Sequence, residues 1–322
     1  MWQPDRVVRG PALLAESEIG PLNRLFADSF TDRYRKDGLV GVRVPQLSAE
    51  VWRYALRDAG QGAMAWTDER GEMVAFNIAH HSGVEGWMGP LAVRPDRQGL
   101  GLGKAIIKSA VEWLVEQRVR VLGLETMPRT VENIGFYSQL GFSPGYLTVT
   151  LTADVVQRSI RGRFLRLGEL APKERSGWLS RCRETLDALL PGYDFTRELE
   201  LTSQLSLGDT VVIGSNSDVA AFALYHSVAL AEGRPGDELR VLKLYAESGT
   251  AFDKLMVALE SSASRLKLRR VAIRCQTAYR EAYRYLIQRG YRVRWTDLRM
   301  CLEGYPEPVL PDGSVLFSNW EI

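Results

Sequence analysis

Histidine and cysteine are both scarce, three of each in 322 residues. Cys182, Cys275 and Cys301 show no paired spacing, so neither a zinc site nor a disulfide framework can be drawn from them. They read as small buried hydrophobes of a reducing compartment. Net charge is nearly absent as well, +2 from 41 basic and 39 acidic residues, with both signs interspersed. No basic stripe forms a nucleic-acid footprint, and the short basic runs at 158–166 and 265–270 read as a linker or a solvated helix face. No run of eighteen apolar residues occurs, which excludes a membrane-spanning helix. The start, Met-Trp-Gln-Pro-Asp-Arg, lacks the apolar stretch of a secretory leader. The expectation is a cytoplasmic protein with no metal, no nucleic acid and no membrane among its partners.

What is present is ordinary folded-protein composition, 45% hydrophobic and 25% charged, enough at this length for two cores. Leu22, Leu25, Phe26 and Phe30 fall at helical spacing. Ser48 suits an N-cap for a second helix running through Trp52, Tyr54 and Leu56. Runs at 63–67 and 73–81, joined by Asp68-Glu69-Arg70-Gly71, read as a hairpin. A third strand at 87–93 stops at Arg94-Pro95-Asp96. Gln98-Gly99-Leu100-Gly101-Leu102-Gly103-Lys104 then opens an amphipathic helix whose stripe is Ile107, Ala110, Val111, Leu114 and Val115. A short buried strand at 119–126, a helix at 131–140 ended by Gly141, and one or two strands at 142–151 follow.

A strand, a glycine-rich turn and a helix N-terminus together make an anion site. The first N–H groups of the helix lack internal partners, the helix dipole adds positive potential, and glycines let a phosphate approach the main chain. A P-loop is excluded, because Gln98 stands at its first position and Ala105 follows Lys104, leaving no hydroxyl for Mg²⁺. A dinucleotide fingerprint is excluded by the G-x-G-x-G spacing and by the strands that precede it. What fits is Q-x-x-G-x-G at Gln98, Gly101 and Gly103, after the strand Leu91-Ala92-Val93. This resembles motif A of the GNAT acetyltransferase superfamily. The likeness runs in element order over roughly 10–152, and Asn133-Ile-Gly-Phe136-Tyr137-Ser-Gln-Leu-Gly141-Phe142 is similar to the superfamily's second cofactor motif.

The resemblance implies roles. Leu91, Ala92 and Val93 would pair through their backbone with the pantetheine arm of acetyl-CoA. Gln98, Gly99, Leu100, Gly101, Leu102, Gly103 and Lys104 would wrap its pyrophosphate, with Lys104 adding charge. Tyr137 would protonate the departing thiolate, a task suited to a phenol that stays protonated at neutral pH. Thr130 stands where the family commonly has asparagine, and Asn133, four residues before Tyr137, is the alternative cofactor contact. Amine acetylation also needs a proton acceptor. Glu125, on the strand after the motif helix, is the candidate catalytic base, with His80, His81 and Glu85 as others. Strand alternation allows only one of His80 and His81 to face a cleft. Tyr34, Trp52, Tyr54, Trp66 and Trp87 are candidates for an aromatic acceptor wall, against core packing as the plainer reading.

The second half reads as a worn copy. Ala220-Ala221-Phe222-x-x-x-His226 echoes Val74-Ala75-Phe76-x-x-x-His80, and the stretch from Tyr285 to Tyr291 echoes that from Phe136 to Phe142. Before them, 199–207 and 210–214 read as β-like with a turn at Asn216-Ser217-Asp218. Residues 240–246, 251–266 and 271–275 follow as strand, helix and strand. The chemistry is lost: Glu247-Ser248-Gly249-Thr250 replaces the glycine turn, and Leu286 stands in the place of Tyr137. The expectation is an α/β (α+β) chain of two tandem GNAT-type domains, each a mixed, mostly antiparallel sheet flanked by helices. They would be a competent one at 1–152, a connector at 153–166 and a degenerate one at 167–322. The copy is expected to supply core, interface and one wall of the acceptor site. The implied activity is acetyl transfer from acetyl-CoA, without metal, to a primary amine of a small molecule or peptide, by a monomer or homodimer. The alternative is a non-catalytic acyl-CoA-binding sensor or scaffold.

Overall fold

The computed structural model describes residues 7–155, 164–215, 218–311 and 313–320. The start of the chain at 1–6, the connector from 156 to 163 with most of its basic run, and the turn positions Asn216 and Ser217 lie outside the described residues. The first half runs β1 (Val8–Leu13), α1 (Ile19–Lys36), α2 (Ala49–Ala59), β2 (Ala63–Asp68), β3 (Met73–Ser82), β4 (Glu85–Val93), α3 (Leu102–Glu116), β5 (Val121–Thr126), α4 (Val131–Ser138) and β6 (Phe142–Asp154). The second repeats the order as β7 (Leu165–Arg166), α5 (Pro172–Leu189), α6 (Thr196–Gln204), β8 (Gly208–Ser215), β9 (Asp218–His226), β10 (Glu238–Ala246), α7 (Gly249–Arg265), β11 (Arg270–Gln276), α8 (Arg280–Gln288) and β12 (Arg292–Leu302). It then adds β13 (Val315–Ser318).

Local chemistry accounts for the elements. The β2–β3 turn closes because Asp68 Oδ1 accepts the N–H groups of Arg70 at 3.1 Å and Glu72 at 3.0 Å. Gly71 supplies the positive φ of 80° that a side chain disfavours. Helix α3 buries Ile106, Ile107, Ala110 and Leu114, while Val115, expected in the stripe, is exposed at the helix end. Ser48 does precede α2, but it makes no side-chain cap. Its hydroxyl donates to Ala229 O at 2.7 Å, and its N–H to Leu230 O at 2.9 Å, tying α2 to the second half.

One expectation is corrected: residues 199–204, read as β-like, are the end of helix α6. The Leu-x-Leu alternation around Leu199 and Leu201 mimics a strand. The buried positions, however, are Glu198, Leu199 and Thr202, one face of a helix.

The strands form one sheet, in the order β1-β2-β3-β4-β5-β12-β6-β11-β10-β9-β8-β7, with β13 on β10. The centre of this order is an exchange. Strand β6 and its second-half counterpart β12 each sit against the other half's parallel strand, β12 antiparallel to β5 and β6 antiparallel to β11, with β12 and β6 paired between them. The apolar interior crosses the seam too. Tyr54, Trp87 and Val121 of the first half pack in one cluster with Trp178, Phe195, Leu242 and Trp320 of the second. Fully burying a large apolar side chain stabilises by roughly 1.5–3 kcal/mol. With cluster and strands both shared, the two halves stabilise each other, and the sequence boundary near 152 is not a spatial one.

Candidate active site

In the first half β4 runs parallel to β5 only from Glu85↔Val121 to Met88↔Leu124. At that point β4 carries an extra residue against β3: Ala79 pairs with Met88 but Asn77 with Leu91, so the strand bulges at Gly89-Pro90. Beyond the bulge it leaves β5. A cavity of about 580 Å³ opens in the gap, lined by Leu91, Ala92 and Val93 on one side and by β5 and α4 on the other.

The glycine turn closes one end of this cavity. Gly99 and Gly101 have φ of 76° and 81°, and an added Cβ at either would meet nothing within 4 Å, so backbone conformation is what requires glycine there. Gly101 is the N-cap of α3 and has no side chain to cap it. In the second half the corresponding helix α7 is capped by Ser248, whose hydroxyl accepts the Ala251 N–H at 3.2 Å. One helix start is satisfied from within, and the other is left open to an anion. The Gln98 side chain serves the loop itself, donating from Nε2 to Val93 O at 3.0 Å and accepting from Lys36 Nζ at 3.0 Å. Gln98, Gly99, Gly101, Gly103 and Lys104 all line the cavity. Leu100 and Leu102 do not. The first is 63% exposed and the second packs toward Ile106, so only their main chain is near the turn.

Asn133 and Tyr137 line the same cavity from α4. Thr130 is occupied elsewhere, its hydroxyl donating to Asp37, the residue that caps the C-terminus of α1. Tyr137 packs beside Phe136 and Phe142, and burial pushes its phenol up to about 12, so it is protonated throughout the neutral range.

A smaller cavity of about 190 Å³ continues past the bulge on the α1 side, lined by Phe30, His80, Trp87, Arg274 and Trp320 among others. Much of this wall comes from the second half. His80 Nδ1 lies 2.7 Å from Asp58, which also accepts Arg197 Nε at 3.0 Å and Trp320 Nε1 at 3.1 Å. Burial lowers the His80 pKa and keeps its imidazole neutral. His81 faces the other way, against Trp113. Glu85 is buried and bonded to Trp87 Nε1 and Ser318 Oγ. Of the aromatics considered for the acceptor wall, Tyr34 and Trp87 line cavities, whereas Trp52, Tyr54 and Trp66 are core.

Glu125 lines both cavities, but its surroundings argue against a base. Thr148 donates to it and two guanidiniums, Arg274 and Arg299, hold it. Burial opposes ionisation there, and the two arginines outweigh it, leaving the Glu125 pKa below the ordinary value. A carboxylate stabilised in this way is a weak proton acceptor. Sequence reasoning missed Trp295 and Asp297 on β12, which complete the wall of the larger cavity from the second half. Nothing in their local pattern marks them, because only the strand exchange brings them there.

The second-half cleft is filled. Strand β10 pairs with β11 from Glu238 to Val241 and then leaves it, as β4 leaves β5. The edge from Lys243 to Ala246 that this frees is taken by β13, antiparallel, from Ser318 to Val315. Among the described residues no group of three or more His, Cys, Asp or Glu could hold a metal, and no helix is long and apolar enough to cross a membrane.

Comparison with known proteins agrees with this geometry. Residues 24–142 match the Acetyltransferase (GNAT) family. Serotonin N-acetyltransferase 2, chloroplastic, of Oryza sativa subsp. japonica is 33% identical over 127 residues, covering 39% of this chain and 56% of that protein. The chain spans about half the length of the curated relatives it matches. Among solved structures, a putative acetyltransferase from Pyrococcus horikoshii superposes with a TM-score of 0.67 at 14% identity, covering 99% of this chain and 96% of that one. A tandem GNAT protein from the clavulanic acid biosynthesis pathway does so with a TM-score of 0.60 at 12% identity, covering 94% and 100%. At such identities these two likenesses are of fold. The match to the acetyltransferase (GNAT) family thus lies within the first half, residues 24–142, and the second half repeats that half's element order without the glycine turn.

Proposed function

We propose that the chain is an N-acetyltransferase that uses acetyl-CoA in its first half and acetylates a primary amine of a small molecule or peptide. The observation that carries this is the cavity of about 580 Å³ that joins a free β4 edge to an uncapped helix start. A strand edge can hydrogen-bond an amide-bearing arm, and the helix start can hold a diphosphate. Acetyl-CoA, when bound, supplies the acetyl group already activated as a thioester.

The chain's own residues do the rest. Main-chain groups of 91–93 orient the arm. The N–H groups of the glycine turn and first turn of α3 hold the phosphates, with exposed Lys104 adding positive charge. Main-chain N–H groups of the bulged stretch polarise the carbonyl oxygen, Pro90 having none to give. Tyr137, protonated at neutral pH, donates to the leaving sulfur. The amine enters from the smaller cavity and attacks directly, without a covalent enzyme intermediate. We retain 1–152 and 167–322 as the two sequence domains joined through 153–166. The second supplies the acceptor-side wall and binds no cofactor, its strand edge being taken by β13.

The test is thiol release from acetyl-CoA across a panel of polyamines, aminoglycosides, amino acids, arylalkylamines and short peptides, with Tyr137→Phe alongside. Release with one class, reduced about a hundredfold in kcat by the substitution, is expected, the usual size of a general-acid contribution. Acetyl-CoA binding with no release in any class would overturn the transferase reading in favour of a sensor.

A further inference from the structure

The two cavities meet over a short stretch: Phe30, the bulge residues 88–90, and two carboxylates, Glu125 and Asp297. This junction is where an amine from one side reaches a thioester from the other. The two carboxylates sit in opposite circumstances. Glu125 is held ionised by Arg274 and Arg299, as described above. Asp297 has weaker support: Oδ2 faces Arg274 at 3.1 Å, and Oδ1 accepts Trp295 Nε1 at 3.1 Å. The other titratable groups packed around it are Glu125 on β5, whose charge repels its own, and Tyr34 on α1.

We infer that Asp297, delivered by the second half through the exchanged strand β12, is the residue that takes the proton from the attacking amine. This rests on the transferase reading of the cleft. In the step, the amine nitrogen forms a bond to the thioester carbonyl carbon and the C–S bond breaks. One proton leaves nitrogen for the Asp297 carboxylate, and one passes from the Tyr137 phenol to sulfur. The products are an amide and a free thiol, and exchange with water resets both side chains.

Three observations favour Asp297 over its neighbours. It lines both cavities, whereas His80 lines only the smaller one. The His80 Nε2 is buried, with the Trp320 ring stacked on the imidazole at 5.6 Å. Burial also lifts Asp297 to about 6, with Glu125 adding to the lift and Arg274 opposing it, while Glu125 is pushed the other way. A pair of carboxylates driven apart in this manner divides the work: one stays a fixed charge and the other exchanges protons near neutrality. The second half is then part of the catalytic apparatus, and the tandem arrangement is needed for a complete site.

The test combines kinetics with a readout that needs no turnover. In wild type, kcat/KM for the amine identified by the panel falls as pH drops through about 6, because the base must be unprotonated and its raised pKa sets that limb. Asp297→Asn is expected to lose a hundredfold or more in kcat and to lose the limb, with acetyl-CoA affinity and unfolding midpoint retained. Trp295→Phe removes the hydrogen bond that favours the anion, so its limb moves to higher pH. In protein labelled with carbon-13 at aspartate carboxyls, one resonance titrates near pH 6 and is missing from Asp297→Asn. An Asp297→Asn enzyme within threefold of wild type, a limb that both variants leave in place, or an Asp297 resonance that titrates below about pH 4.5 would each overturn the assignment while leaving the transferase reading intact. A wild-type protein that acetylates nothing overturns both.

Discussion

Gly101→Glu tests the proposed acetyl-CoA cleft most directly, and the structure lets its two costs be separated. Gly101 has φ of 81°, where any residue with a Cβ is strained by roughly 1–2 kcal/mol. The space around it is open, an added Cβ meeting nothing within 4 Å, so the variant folds with only that strain as penalty. The second cost appears on binding. A carboxylate about 4 Å from a phosphate charge, at an effective dielectric of about 20, is repelled by about 4 kcal/mol, and each 1.4 kcal/mol is tenfold in affinity. Acetyl-CoA binding measured by calorimetry should therefore weaken by about a thousandfold. Gly101→Gln, which carries the strain and the bulk without the charge, separates the terms and should retain much more affinity. A Gly101→Glu protein that binds acetyl-CoA within threefold of wild type would refute the assignment of the turn to the pyrophosphate.

Two further predictions follow from the second half. Calorimetric stoichiometry should be one acetyl-CoA per chain, since β13 already holds the edge from Lys243 to Ala246; a clean value of two would show that β13 is displaced. Lys243→Ala should destabilise the fold by roughly 3–5 kcal/mol in denaturant unfolding. The ammonium is wholly buried, lies 3.4 Å from the Trp320 ring centre, donates to Ser318 Oγ at 2.8 Å, and stands 3.9 Å from Glu198. Burial lifts the Glu198 carboxyl to about 7 against the pull of Lys243, so in the variant it moves higher and takes a proton, while the Ser318 and Trp320 contacts of the lysine are lost. A cost below about 1 kcal/mol would mean that the buried charge is not needed.

Most of the first half was legible because its signals are local. Helical spacing at Leu22, Leu25 and Phe26, the Asp68–Gly71 turn, and the glycines at 99 and 101 each act over a few residues, and the structure uses them as read. Where distant chain competes for a local group, the reading failed. Ser48 had the chemistry of a cap, but Ala229 O claimed its hydroxyl. The 199–204 stretch had the alternation of a strand, yet α6 buries Glu198 and Thr202 together on one helical face. Glu125 had the chemistry of a base until Arg274 and Arg299, far along the chain, fixed its charge.

The sequence by itself determined the order of elements, their repetition, and the presence of one glycine-rich, uncapped helix start beside one capped by a serine. Those properties depend on φ preferences, side-chain periodicity and residue identity, all written within a few positions. Tertiary structure alone decided that the halves exchange β6 and β12, that β13 fills the second cleft, and that Trp295 and Asp297 line the first half's cavity. A strand's partner is chosen by pairing and burial across the whole molecule, and no local pattern records which edge is left free for it.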